Sequence, residues 1–322
     1  MQTGLITRGI NNIYSVESQG NAYLCRIKGK QLFQVTDEYN PLAVGDQVTF
    51  VLTNEGEGLI IERLERRNCF QRWNAKKGCN QTVVANMDLV VCISSVESPP
   101  FRPRFIDRVI ACSRKVPVMI VLNKSDILLT EEEHERFSLY GKLGYQTMAV
   151  SAASGENLER LHEVLKGKTV AFVGQSGVGK STLINRLLGS EQKTGEISHK
   201  YNRGRHTTNH ALLLHGPDFT IADTPGVREF LVPHTDPHEL SDAFPEFMEF
   251  ASSCTYEGCL HQGEPGCKVM EAVEQDLIHY DRYESYLRML ASLDEKKPEW
   301  MGKNDRSKSW IKRMERDESQ EY

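Results

Sequence analysis

Hydrophobic positions along the 322-residue chain follow three rhythms in turn. Up to about residue 67, short runs that partly alternate apolar with polar ("GLITRGI", "IYSVES", "AYLCRIKG", "KQLFQV", "DQVTFVLT", "GLIIERL") are separated by Gly, Asn and Asp turns. A period of two predicts strands with one buried face. Five or six of them in so short a stretch predict a small closed β-barrel of the OB type. From about 83 to 230, continuous apolar runs ("MDLVVCISSV", "PVMIVLN", "YQTMAVSA", "TVAFVG", "FTIADTPG") alternate with helical segments such as "RFIDRVIACSRKV", "EEEHERFSLYGKLG" and "KSTLINRLLG". In "NLERLHEVLKG" the helical period puts Leu158, Leu161 and Leu165 on one face. Strands apolar on both faces belong in a parallel sheet covered by helices, which predicts a doubly wound α/β domain. Beyond about 231 the pattern becomes helical and charged, ending in a mixed-sign tail from 294. The expected divisions are 1–67 for the barrel, 68–230 for the α/β domain and 231–322 for the helical part with its tail.

Between the first two rhythms lies "RRNCFQRWNAKKGCNQ", where basic residues mix with Phe70 and Trp73. Such a segment suits contact with phosphates and bases, or serves as a solvated linker with one anchoring aromatic.

Composition narrows the class. With 39% hydrophobic and 26% charged residues the chain can bury real cores. No apolar run approaches the ~20 residues that span a bilayer, and "MQTGLITRGINNIY" lacks the apolar stretch of a secretory signal, so a cytoplasmic protein without a membrane partner is expected. The formal charge of −5 argues against indiscriminate coating of nucleic acid but leaves room for a local basic face. Eight cysteines in such a chain read as thiols or metal ligands rather than disulfides. Cys92 and Cys112 sit in apolar patterns and are expected in cores, whereas Cys25, Cys69 and Cys79 carry no spacing signal.

The chemistry lies in the α/β stretch. Gly174-Gln175-Ser176-Gly177-Val178-Gly179-Lys180-Ser181 fits G-x-x-x-x-G-K-[ST], following an apolar strand and opening the helix "KSTLINRLLG", and with its neighbours Val173 and Thr182 is expected to bind the nucleotide. Its glycines let backbone N–H groups turn inward around phosphates at the positive end of a helix. Lys180 is placed to contact the β- and γ-phosphates, and Ser181 to ligate Mg²⁺. Asp223-Thr224-Pro225-Gly226 follows a buried strand, so Asp223 can hold Mg²⁺ through water while the Gly226 N–H is free for a γ-phosphate oxygen. Between these motifs, "YNRGRHTTNHA" has no hydrophobic period and suits a switch loop in which Thr207 or, preferably, Thr208 reaches Mg²⁺.

Asn123-Lys124-Ser125-Asp126 chooses the base. The Asp126 carboxylate can accept from the N1–H and N2–H₂ of guanine, and adenine would leave it desolvated and unpaired. Rejection of a ligand that lacks such partners reaches roughly 10⁴-fold. Lys124 would lay its stem on the base plane and Asn123 would tie loops together. Ser151-Ala152, at the end of the next strand, resembles the loop whose backbone N–H meets guanine O6. The order is guanine reader, Ser-Ala loop, phosphate loop, switch threonine, Asp-x-x-Gly. This is the usual GTPase set cyclically shifted, which a sheet tolerates because a site at strand ends depends on where the strands lie, not on where the chain is cut.

Cys254, Cys259, His261 and Cys267 form C-x₄-C-x-H-x₅-C, with Gly258, Gly263 and Gly266 permitting tight turns. Three thiolates and an imidazole suit a closed tetrahedral Zn²⁺ site of structural purpose.

The permuted motif order, the barrel in front, the "GRHTT" loop and the cysteine–histidine module behind resemble the RsgA (YjeQ) family of ribosome-small-subunit-dependent GTPases, over essentially the whole chain. The resemblance implies a slow intrinsic GTPase strongly stimulated by the small ribosomal subunit and acting late in its assembly. It implies GTP/GDP, the small subunit and its rRNA as partners, Mg²⁺ with the nucleotide and one structural Zn²⁺. A monomer is expected. Val227 stands after Asp-Thr-Pro-Gly, where many small GTPases place a water-orienting glutamine. His206, beside the candidate threonines, is therefore the expected catalytic partner of the attacking water, with Lys180 stabilising phosphoryl charge. Val227 also favours an alternative: a non-catalytic, nucleotide-stabilised rRNA-binding assembly factor. Service to the large subunit is a further alternative, against which the barrel and the zinc module count by resemblance.

Overall fold

The computed structural model describes residues 1–28, 32, 40–53, 57–75, 77–113, 115–189, 211–226 and 231–294. The chain divides into two compact units, one of residues 1–72 and 79–230, the other of residues 73–78 and 231–322. No helix among the described residues is long and apolar enough to cross a membrane.

The first unit begins with five strands: β1 (Gln2–Ile10), β2 (Ile13–Ser18), β3 (Asn21–Ile27), β4 (Gln47–Leu52) and β5 (Gly58–Arg63). They follow the order β1-β2-β3-β5-β4, and β4 returns to β1 to close the barrel. Only β3 and β5 run parallel. Alternate side chains point inward, as the sequence rhythm requires: Ile6, Tyr14, Val16, Cys25, Val48, Phe50 and Ile60 form one core. The expected strand "KQLFQV" falls outside the described residues apart from Leu32, which is buried. The register of β1 against β2 shifts between Ile6 and Arg8; Arg8 stays paired with Ser15 of β2 and on its other side pairs with Leu212, so the ladder runs on from the barrel into the α/β strands. A bulge there bends the strand, just past Leu5 where its pairing with β4 ends, and leaves that edge of β1 to β12.

The α/β part of this sheet contains β8 (Leu89–Ser95), β9 (Val118–Asn123), β10 (Gln146–Ala149), β11 (Thr169–Gly174), β12 (Leu212–His215) and β13 (Thr220–Asp223). Their order is β10-β9-β8-β11-β13-β12, all neighbours parallel except β12 against β13. Every residue of β8 is buried, as expected for a central strand covered on both faces. Among the described residues, four helices belong to this layer: α1 (Pro103–Ser113), α2 (Glu131–Lys142), α3 (Leu158–Leu165) and α4 (Lys180–Leu187). A capping box between Thr130 and Glu133 starts α2. Leu161 and Leu165 of α3 and Leu183 and Ile184 of α4 pack with Val91, Val121, Phe172 and Ile221 of the strands. Cys92 and Cys112 are fully buried, in β8 and α1.

Two features depart from the sequence reading. The expected linker is a two-stranded hairpin of β6 (Cys69–Asn74) and β7 (Cys79–Ala85), with Phe70 completely buried. Gln71 bonds Thr82 and Arg72 bonds Gln81 across it, so polar cross-strand pairs replace the apolar alternation that would have announced strands. The short strand β12, unannounced in the sequence, is the one that carries the pairing to the barrel.

The barrel also meets the region before β8 through buried polar groups. Arg66 is bidentate on Asp46 at 2.7 and 2.8 Å and donates to Thr82 Oγ1 at 3.0 Å. Asp46 additionally accepts from the Ala43 N–H at 2.7 Å. Gly45 has φ +91°, and a Cβ there would stand 2.0 Å from the Ala85 carbonyl oxygen, so only glycine permits this approach.

The second unit contains α5 (Pro237–Ser241), α6 (Pro245–Ala251), α7 (Lys268–Glu274) and α8 (Tyr280–Asp294). Phe244, Phe247, Tyr283 and Tyr286 fill its centre. Arg282, almost fully buried, lies 4.5 Å over the Phe244 ring and bonds Glu246 at 2.7 Å. A buried guanidinium of this kind is tolerated because its charge and its donors are both matched.

Candidate nucleotide site and metal cluster

Parallel strands deliver their following loops to one edge of a sheet, so β8, β9 and β11 end side by side. The loop after β11 spans Gly174 to Gly179 and runs into α4. Val173 and Gly174 are buried, Gln175 nearly so, while Ser176 and Gly177 face outward. Gly177 and Gly179 both take positive φ, which turns the backbone around the head of the helix. Lys180 is 8% exposed and forms an ion pair with Asp223 at the end of β13. Ser181 is exposed and Thr182 half-buried in the first turn. Thr224 anchors the following turn by donating its hydroxyl to the Phe172 carbonyl at 2.7 Å. That turn brings Gly226 against the phosphate loop, where a Cβ on Gly226 would stand 3.3 Å from Ser176 Cα.

The Asn123 stretch lies across this loop. Asn123 is buried; its Nδ2 donates to the Val178 carbonyl at 2.8 Å and its Oδ1 accepts from the Ala152 N–H at 3.0 Å. One side chain therefore ties the phosphate loop, the end of β9 and the Ser151 loop together. Gly179 completes the fit, because a Cβ there would meet Asn123 Nδ2 at 2.4 Å. Lys124 has φ +65° and donates to the carbonyls of Glu97 and Ser98 at 2.7 and 2.8 Å. Ser125 donates to Glu156 at 2.9 Å. Asp126 is exposed, with one carboxylate oxygen accepting from the buried Ser151 hydroxyl at 2.6 Å. The other oxygen has no hydrogen-bond partner among the described residues.

The structure thus gathers Asn123, Lys124, Ser125, Asp126, Ser151, Ala152, the 174–181 loop, Asp223 and Gly226 at one edge. His206, Thr207, Thr208 and Val227 lie outside the described residues. Sequence reasoning missed Glu97 and Ser98 as Lys124 partners, Glu156 as the Ser125 anchor and Arg186 as a brace on the Ser151 loop. Nothing in "INRLLG" beyond an exposed helical position signals the last of these.

In the second unit the candidate metal ligands converge. One donor atom from each of Cys254, Cys259, His261 and Cys267 lies within 4.8 Å of the others. His261 Nδ1 is the ring atom that faces the sulfurs, 3.7 Å from Cys254 Sγ and 3.4 Å from Cys267 Sγ. Burial pushes the Cys259 and Cys267 thiols above their ordinary value and lowers the His261 imidazole. A cation among them would reverse the thiol penalty, and a neutral imidazole is the form that ligates. The donor set therefore fits a soft dication. The surrounding bonds hold the donors in place: the Lys268 N–H, at the start of α7, donates to Cys254 Sγ at 3.4 Å. Glu264 accepts from the N–H groups of Leu260 and Gln262, and Tyr283 and Tyr286 of α8 donate to the carbonyls of His261 and Leu260, each at 2.7 Å.

A parallel sheet with a phosphate loop after one strand, an Asn-Lys-x-Asp stretch after another and Asp-x-x-Gly after a third is that of a P-loop GTP hydrolase, here with the guanine-reading half first in the chain. Family models agree: residues 63–233 match the RsgA GTPase domain and residues 3–60 the RsgA N-terminal domain. The small ribosomal subunit biogenesis GTPase RsgA of Borreliella burgdorferi (strain ZS7) is 39% identical over 290 residues, covering 88% of this chain and 94% of that one. Its counterpart in Bacteroides fragilis is 38% identical over 303 residues, covering 91% and 98%. Among solved structures, YjeQ from Thermotoga maritima superposes with a TM-score of 0.67 at 30% identity, covering 91% of this chain and 98% of that one. YloQ, described as a circularly permuted GTPase, gives 0.65 at 25% identity, covering 92% and 96%. The chain belongs to the RsgA GTPase family.

Proposed function

We propose that this GTPase is stimulated by the small ribosomal subunit and acts in the late maturation of that subunit; its relatives are named for small ribosomal subunit biogenesis. The observation that carries the nucleotide part of this reading is the Asn123 clamp, which joins the guanine reader to the phosphate loop by a bond of 2.8 Å and to the Ser151–Ala152 loop by one of 3.0 Å. Asp126 would accept from N1–H and N2–H₂ of guanine and Lys124 would flank the base. The N–H groups of residues 174–182 and the Lys180 ammonium would hold the phosphates. Ser181 and Thr208, with Asp223 through water, would hold Mg²⁺, which when bound offsets charge on the β- and γ-phosphate oxygens. His206 would accept a hydrogen bond from the attacking water, a role that Val227 cannot fill.

The cysteine–histidine cluster would hold one structural Zn²⁺, with no coordination position left for substrate. In this reading residues 1–67 serve as an RNA-facing barrel, 68–230 as the GTPase and 231–322 as the zinc-bearing part, in a monomeric cytoplasmic protein. GTP turnover measured with and without purified small subunits tests the proposal. The expected result is slow turnover alone, a large rise with small subunits and none with large ones. His206→Ala should remove most of that rise while leaving GDP affinity nearly as it was. Equal turnover with either subunit would overturn the partner assignment.

A further inference from the structure

The loop that follows β10 has two backbone donors near the position of the base, and they are not equivalent. The Ala152 N–H is already committed to Asn123 Oδ1 at 3.0 Å. Ala153 is exposed, and its N–H makes no hydrogen bond among the described residues. Arg186, near the end of α4, donates through Nε to the Ala152 carbonyl at 3.1 Å and through Nη2 to the Ala153 carbonyl at 2.9 Å.

The Ala152 carbonyl and the Ala153 N–H belong to one peptide group. That group is planar and trans, so its oxygen and hydrogen point in opposite directions. Fixing the carbonyl on a guanidinium fixes the direction of the N–H. A charged donor on the oxygen also draws electron density away from the nitrogen and strengthens the N–H as a donor. The second bond, to the Ala153 carbonyl, stops the loop from rotating about the first.

We propose that Arg186 is a positioning residue for base recognition, holding and polarising the Ala152–Ala153 peptide so that the Ala153 N–H donates to O6 of guanine. This rests on the guanine reading above and goes beyond it by naming the donor and what aims it. It also links the two ends of the ligand, because α4 carries Lys180 in its first turn and Arg186 in its last. The base-side loop is thus braced from the helix that receives the phosphates.

Specificity for single base atoms tests it. The full-length protein with Mg²⁺ is titrated with GDP, with 6-thio-GDP, which keeps N1–H and the 2-amino group but offers a poor acceptor at position 6, and with IDP, which keeps O6 but lacks the 2-amino group. Wild type should prefer GDP over both. Arg186→Ala should weaken GDP by roughly fivefold to twentyfold, the net scale of about one hydrogen bond to the base. In that variant the preference for oxygen over sulfur should largely vanish, while the preference for GDP over IDP, set by Asp126, persists. Arg186→Lys, able to reach one carbonyl, should fall between.

A merely structural role would weaken all three ligands equally and leave both ratios intact, and that result overturns the proposal. So would a wild type that selects GDP over IDP but takes 6-thio-GDP equally well. If wild type bound ADP as tightly as GDP, the guanine reading itself would fall and this one with it.

Discussion

The nucleotide site and the metal cluster are built by opposite means. The cluster draws its four donors from 14 consecutive residues, Cys254 to Cys267. Turns and one short helix bring them together, and α8 braces them with two tyrosine hydroxyls. The nucleotide site takes Asn123 and Asp223 from the ends of two strands and Ala152 and Val178 from two loops, all at one edge of a sheet. The first arrangement needs little more than local geometry and an ion; the second needs the whole sheet to be in register. A site of the first kind should fail when its ion leaves, and one of the second kind should survive the loss of single contacts while losing specificity or rate.

The largest expected effect is on the cluster. Zinc-coupled folding in small modules is worth roughly 10–16 kcal/mol, so Cys267→Ser should abolish metal retention and expose residues 231–294 to limited proteolysis. GDP binding by the first unit should persist, as calorimetry would report. Loss of both together would show that the two regions do not stand independently.

Lys180→Ala removes the one buried ammonium of the phosphate loop. GTP turnover should fall a hundredfold or more, in line with losing a principal electrostatic contact to the transferred group. Thermal melting should move by only a few degrees, since the strand contacts remain. A collapse in melting temperature would mean that the Lys180–Asp223 pair is structural.

Asp126→Asn replaces an acceptor with a side chain that presents a donor to N1–H and N2–H₂. GDP affinity should fall by about a hundredfold or more, and xanthosine diphosphate, which carries a carbonyl at position 2, should now bind better than GDP. Competition binding with the two nucleotides decides it.

A smaller and purely structural effect is expected where the barrel meets the hairpin. Arg66→Met leaves Asp46, which is fully buried, without its cation; breaking such a pair costs about 3–5 kcal/mol. Denaturant unfolding followed in the barrel should show that loss. Replacing both partners by apolar residues of similar volume should recover much of it. If the single variant cost nothing, water rather than Arg66 would be satisfying the carboxylate.

Much of the nucleotide region was legible because its signals are coded as residue types. Lys180 and Asp126 lie in fixed spacings beside buried strands, and the cyclic order of the motifs was visible without coordinates. The cysteine–histidine cluster was legible for a similar reason, since C-x₄-C-x-H-x₅-C places all four residues within one short segment. Arg186 was not legible. Its partners are backbone carbonyls, which look alike in every sequence, and any exposed helical arginine has the same appearance. The hairpin 69–85 escaped because its strands are held by Gln71–Thr82 and Arg72–Gln81 bonds rather than by alternating apolar side chains.

The order of residues by itself determined which groups carry charge, thiols and glycine freedom, and where the period changes from two to that of helices. Local chemistry of this sort is written one residue at a time. Only the tertiary structure decided that Asn123 reaches the Val178 carbonyl and that β1, still paired with β2, takes β12 as its other neighbour at Arg8. It also decided that His261 turns Nδ1 rather than Nε2 toward the sulfurs. Those outcomes depend on register and on the direction of hydrogen bonds between distant segments. Neither exists until the segments have packed.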